Sequence, residues 1–223
     1  MKSNPPAPPV TEIAFLLDMS GSMNPHTEAA IASFNEFLRD QQEVTGIARL
    51  TLVLFDDQYE VPIDNLPVCE VTQLDTTTYR PRGATALLDA IGLTIKRFRK
   101  RIKALPKSHR PDQVIFAIFT DGLENASRRY DWHKIADKIH KRQSQDDWQF
   151  LFLGAGQDAI ATASQINIHA YNAATASEGD IGVTGSQRAM SRKVRAMREM
   201  DVDSADLSAP MDTILREEEE RDR

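Results

Sequence analysis

Four short apolar runs punctuate the chain, and each one stops at a polar or small-residue cluster. Ile13-Ala14-Phe15-Leu16-Leu17 ends at Asp18, and Leu50-Thr51-Leu52-Val53-Leu54-Phe55 ends at Asp56-Asp57. Val114 to Phe119 ends at Thr120-Asp121-Gly122, and Trp148 to Leu153 is closed by Gly154-Ala155-Gly156. Runs this short, apolar throughout and sharply bounded, read as strands of a parallel sheet buried on both faces. Between them the apolar positions recur at helical spacing. Ala30, Ile31, Phe34, Phe37 and Leu38 mark a helix over 27–44, ended by Gly46, and Leu87, Leu88, Ile91, Ile95, Phe98 and Ile102 mark another. Ile135 and Ile139 mark a helix from Asp131 to about 143, and a short one is expected over 158–165. A last helix is expected over 185–200, with Met190, Val194 and Met197 inward and Arg188, Arg192, Arg195 and Arg198 outward. Residues 59–63 read as a hairpin return beside the second strand, which 68–74 would extend, and 168–171 as an edge strand. Strands alternating with helices predict an α/β protein: a mostly parallel central sheet with one antiparallel edge strand and helices on both faces.

The first apolar run carries the chemistry. Asp18-Met19-Ser20-Gly21-Ser22 places a carboxylate and two hydroxyls on alternate residues, where a central strand ends and the chain must turn. In open α/β sheets that carboxyl edge is where ligands bind. Oxygen donors of this kind suit Mg²⁺ or Ca²⁺ rather than zinc, which favours nitrogen and sulfur. Taken alone, the motif leaves open a plainer use, a serine capping the next helix.

Two later segments bear on that choice: Arg82-Gly83-Ala84-Thr85-Ala86-Leu87-Leu88-Asp89-Ala90-Ile91, and Val114 to Gly122. With these in order, the sequence resembles the von Willebrand factor A-type (vWA) domain over about residues 10–200. That family's metal-ion-dependent adhesion site combines D-x-S-x-S with a loop threonine and a loop aspartate, and Asp18, Ser20, Ser22, Thr85 and Asp121 match its five positions. The resemblance implies a Rossmann-like three-layer sandwich that binds a divalent cation, usually Mg²⁺ with Ca²⁺ or Mn²⁺ as alternatives. It also implies one coordination position left for a Glu or Asp of a partner protein. Glu124 and Asn125 fall where such sequences carry supporting acidic or amide residues. The small intracellular bacterial members of the family work beside ATPases or stress-response systems, so the resemblance implies a cytoplasmic protein-binding module that is not an enzyme.

Composition narrows the alternatives. The 223 residues are 41% apolar and 27% charged, ordinary for a globular chain, and contain no run of about 18 apolar residues that would span a membrane. The opening MKSNPPAPPV lacks an apolar core, so it reads as a Pro-rich flexible lead-in (1–10) to a vWA domain (11–200), not as a secretory signal. Cys69 is the single cysteine; it excludes an internal disulfide, fits a reducing compartment and is expected to be half-buried. Of the net charge of −6, all resides in 201–223, which hold nine acids and three arginines. That segment reads as a disordered acidic tail, and its Glu217–Glu220 run as a tethered competitor for the metal. A neutral body with an acidic tail does not read as a nucleic-acid binder.

Two other functions stay in play. One is a Mg²⁺-dependent hydrolase or phosphoryl-transfer enzyme. Against it, the chain has no G-x-S-x-G elbow, no G-x-x-x-x-G-K-[ST] loop and no Cys-His pair, and no histidine is nominated as a base beside the motif. Gly154-Ala155-Gly156 lacks the third glycine and the acid of a dinucleotide loop. The other is an RNA-associated scaffold using Lys96, Arg97, Arg99, Lys100, Arg101, Lys103 and Lys107. Basic residues near a helix C-terminus also suit its dipole, so a solvated face is the expectation for them. Asp56 and Asp57 read either as a turn pair or as further ligands, and His133 and His140 as surface residues.

Overall fold

The computed structural model describes residues 9–155, 159–200 and 204–221. The lead-in before residue 9, Gly156 and Asp158 lie outside them. Six strands, β1 (Val10–Asp18), β2 (Ile47–Phe55), β3 (Tyr59–Pro67), β4 (Gln113–Thr120), β5 (Gln149–Ala155) and β6 (Ala173–Ala176), form one sheet in the order β3-β2-β1-β4-β5-β6. All neighbours are parallel except β2 and β3, so the antiparallel edge strand falls where the hairpin return is predicted. Five longer helices cover the sheet: α1 (Thr27–Glu43), α2 (Leu87–Ala104), α3 (Trp132–Asp146), α5 (Asp180–Glu199) and α7 (Met211–Arg221). Two short ones, α4 (Ala159–Gln165) and α6 (Ala205–Ser208), complete the set.

Strand residues alternate between two faces, and both are dry. From β1, Ile13, Phe15 and Leu17 enter one core with Phe34 and Phe37 of α1 and Val194 of α5. Ala14 and Leu16 enter the other, with Leu88, Ile91 and Phe98 of α2 and Ile135 and Ile139 of α3. Burial on both sides is why these strands read as unbroken apolar runs.

Several expectations need correction. The edge strand lies at Ala173–Ala176; Ala170–Asn172 is a 3₁₀ turn, as is Val68–Glu70. Helix α5 begins at Asp180, ahead of the predicted start, and its arginines do not simply face outward. Arg198 is buried and donates to the Gln41 and Val44 carbonyls, because α5 is packed on two sides, by α1 and by α7. Cys69 is exposed. Residues 204–221 are not a disordered tail: α7 buries Met211, Ile214 and Leu215, and Lys193 Nζ donates to the carbonyls of Asp206, Leu207 and Ala209. Its acids are engaged as well. Glu219 accepts from Ser177 N and Oγ, and Arg192 pairs with Asp206, Glu217 and Glu218. A freely ranging competitor for the metal is therefore not available from this segment. Among the described residues, no helix is long and apolar enough to cross a membrane.

Candidate metal centre

The site is assembled by register. Leu17 lies opposite Phe119, so Asp18, the next residue, comes level with Thr120 at the carboxyl edge of the sheet. Asp18 is fully buried; its Oδ1 accepts from Ser20 N at 2.7 Å and its Oδ2 from Thr120 Oγ1 at 2.5 Å. The chain then turns, and Ser20 Oγ lies 3.0 Å from Ser22 Oγ, which donates to Asp121 Oδ1 at 2.8 Å. No side-chain capping bond is made by Ser20 to the turn that follows, so the capping use of this serine is not realised.

The Thr85 loop is docked by backbone bonds. Gly21 N donates to Gly83 O, Arg82 N to Met19 O and Ala86 N to Asp56 O. Asn125 then ties this loop to the strand β4 end: its Oδ1 accepts from Thr85 N at 2.8 Å, and its own N donates to Thr85 O. A methyl group placed on Gly122 would lie 2.8 Å from Thr85 Oγ1, 3.5 Å from Ser22 Oγ and 3.7 Å from Ser20 Oγ. Three hydroxyls from two loops thus surround one point beside the two carboxylates. All five residues singled out in the sequence are brought together.

The donor set is graded in depth. Asp18, Ser20 and Thr85 are buried, Asp121 is half-buried and Ser22 is exposed, so the cluster opens to solvent on the Ser22–Asp121 side. Burial is the largest influence on Asp18 and pushes its carboxyl up to about 6, against the Thr120 and Ser20 hydrogen bonds. Burial also raises Asp121, opposed by its bond from Ser22. Among the described residues no group of three His, Cys, Asp or Glu could hold a metal, so a cation here would rest on two carboxylates and three hydroxyls. That is a donor set for a hard ion.

Other candidates are placed elsewhere in function. Asp56 is buried, accepts from Arg82 Nε at 2.8 Å and from Gln58 N, and so serves the turn. Glu124 accepts from Leu88 N, Ala126 N and Ser127 N, organising the loop around Thr85. His133 sits on the surface beside Asp137. Three supports were not singled out in the sequence. They are the Thr120 hydroxyl, Asp89, which accepts from Arg129 N and Tyr130 N, and buried Tyr79, whose hydroxyl donates to Asp18 O at 2.6 Å. His26 corrects the expectation that no histidine serves beside the motif: it stands four residues past Ser22, its charge bears on Asp121, and its Nδ1 lies 2.6 Å from Asp180 Oδ1.

Comparison with known proteins shows the fold. No family model and no curated protein sequence matches the chain. Solved structures do. A proximal thread matrix protein from the mussel byssus "with zinc occupied MIDAS motif" aligns at a TM-score of 0.55 and 16% identity over 84% of this chain and 46% of that one. Manganese-loaded TRAP protein of Plasmodium vivax aligns at 0.52 and 18% over 75% and 68% of the two chains. The vWF domain of the type V pili tip protein Mfa5 from Porphyromonas gingivalis aligns at 0.58 and 11% over 86% and 97%. The fold is that of a vWA domain. This chain spans under half the length of the byssus protein it matches.

Proposed function

We propose that the chain is a divalent-cation-dependent protein-binding module, in which Asp18, Ser20, Ser22, Thr85 and Asp121 hold the ion and a partner's Glu or Asp completes its shell. The observation that carries this reading is the convergence of those five oxygen-bearing side chains from three separate loops, with one side open to solvent. The buried carboxyl of Asp18 supports it, since a cation beside it would offset the cost of ionising that group. A bound ion would supply Lewis acidity toward an incoming carboxylate; Asp18, Ser20, Ser22, Thr85 and Asp121 would hold it, with the solvent-open Ser22–Asp121 side facing the partner. Exposed Leu123, next to Gly122, offers the partner an apolar contact at the rim.

The solved structures of this fold include one with zinc and one with manganese. For this chain the oxygen donors favour Mg²⁺, Ca²⁺ or Mn²⁺. The reading is non-enzymatic and cytoplasmic, with an ATPase or stress-response assembly as the context of the partner. The test is capture from lysate by the immobilised chain in Mg²⁺, elution with EDTA and identification of what elutes. Asp18→Ala should lose both cation binding and capture while keeping its circular dichroism spectrum. Undiminished Mg²⁺ affinity in that variant, by calorimetry, would refute the assignment.

A further inference from the structure

At the opposite edge of the sheet, where β4 and β5 begin, lies an open cavity of about 680 Å³ between α2 and α3. It is independent of the metal reading. Helix α2 contributes Lys96, Arg99 and Lys103, spaced so that one face of the helix presents all three. Helix α3 answers with Lys138 and Arg142, also one turn apart, and the loop before β4 adds Arg110. The floor is apolar: Ile95, Ile102, Val114 and Trp148.

The helix dipole does not account for this arrangement. In α2 the basic residues of the last turn are Arg101 and Lys103, and α3 has none in its last turn. Lys96, Arg99, Lys138 and Arg142 are therefore set back from the helix ends, where the dipole has faded. Nor do internal ion pairs account for it. Arg97 and Arg101, which do not line the cavity, are taken by Asp64 and Glu12, and Arg142 is paired with Asp146. Among the described residues, Lys96, Arg99, Lys103 and Arg110 have no carboxylate partner, and the remaining acid of the lining, Asp112, accepts from Val10 N. Like charges crowd the cleft: burial first, and then Arg99, Lys141, Arg142 and Lys96, hold the Lys138 ammonium below its usual value.

We propose that this cavity binds a small organic polyphosphate, of the nucleoside polyphosphate class, with the phosphates on the basic walls and the organic part on the apolar floor. A cavity of this volume is in the range that encloses such a ligand. Convergence of cations from two helices and a loop on one concave floor distinguishes it from a flat basic stripe, which would suit a nucleic-acid backbone.

Calorimetry on the full chain with ATP and with inorganic tripolyphosphate, both in EDTA so that the metal centre is silent, tests this. Binding of both probes to the native chain is expected, and to Asp18→Ala equally. Arg99→Glu/Lys138→Glu should weaken it by about 100-fold or more, and Arg99→Gln/Lys138→Gln, a milder change to the fold, by about tenfold or more. Lys107→Glu, outside the cavity, should leave it unchanged. ATP binding tighter than tripolyphosphate assigns the floor to the organic part and supports the proposal; equal or weaker affinity for ATP would overturn it, leaving a site for the phosphate chain alone. No binding of either probe, unchanged affinity in both double variants, or a short RNA bound in strong preference to both probes would overturn it.

Discussion

At Asp18, burial and ionisation pull in opposite directions. Its carboxyl is raised from 3.8 to about 6, so in the metal-free chain the protonated form is favoured by folding. The contribution of this group is fully present below about pH 4 and is lost as pH rises through 6. A cation binds only the ionised form, so Mg²⁺ affinity should be steady above pH 7 and fall steeply below about 6, measured by titration at fixed ionic strength. Two glycines fix the geometry around it. Gly83 has φ +66°, and a methyl there would lie 2.6 Å from Asp57 Oδ1. Gly122→Ala should push the Thr85 hydroxyl aside and cost about tenfold in cation affinity with little loss of stability, since it disturbs the ligand set without opening the core. The five ligand candidates were legible because the motif fixes their types and order. Tyr79 and Thr120 were not, because a hydroxyl that holds a carbonyl or carboxylate across 61 or 102 residues leaves no local trace.

At the scale of elements, legibility followed burial. Strands covered on both faces declare themselves as apolar runs, whereas β6, Ala-Ala-Thr-Ala, carries too little side chain to register. Helix α7 is hidden in the sequence for another reason. Its acids suggest repulsion and disorder, yet Arg192 and Ser177 receive them, and the three apolar residues that matter are Met211, Ile214 and Leu215. Removing residues 204–223 should therefore lower the unfolding free energy by roughly 4 kcal/mol or more, as the burial these three side chains contribute is lost. Lys193→Met, which strands three carbonyls, should cost roughly 2–3 kcal/mol. Urea unfolding of both variants checks these values. A native-like midpoint for the truncated chain would mean that α7 is not part of the folded unit.

For the whole molecule, the sheet separates two electrostatic regions. Carboxylates and hydroxyls gather where β1 and β4 end, and cations gather where β4 and β5 begin. Saturating Mg²⁺ at about 100 times its dissociation constant should stabilise the native chain by about 2.7 kcal/mol, and do nothing for Asp18→Ala. The same gain is expected in Arg99→Glu/Lys138→Glu, because that pair lies at the far edge. Thermal melts with and without metal give all three comparisons.

The position of β1 between β2 and β4 has a consequence for how the protein is made. Val10 pairs with Ile47, but its other neighbour along the sheet, Gln113–Thr120, follows about a hundred residues later. While the ribosome is still emitting that stretch, a strand buried on both faces in the finished protein has one flank open, a template for any extended segment nearby. Chaperone demand during synthesis should accordingly peak before residue 120 emerges and subside once β4 is able to dock.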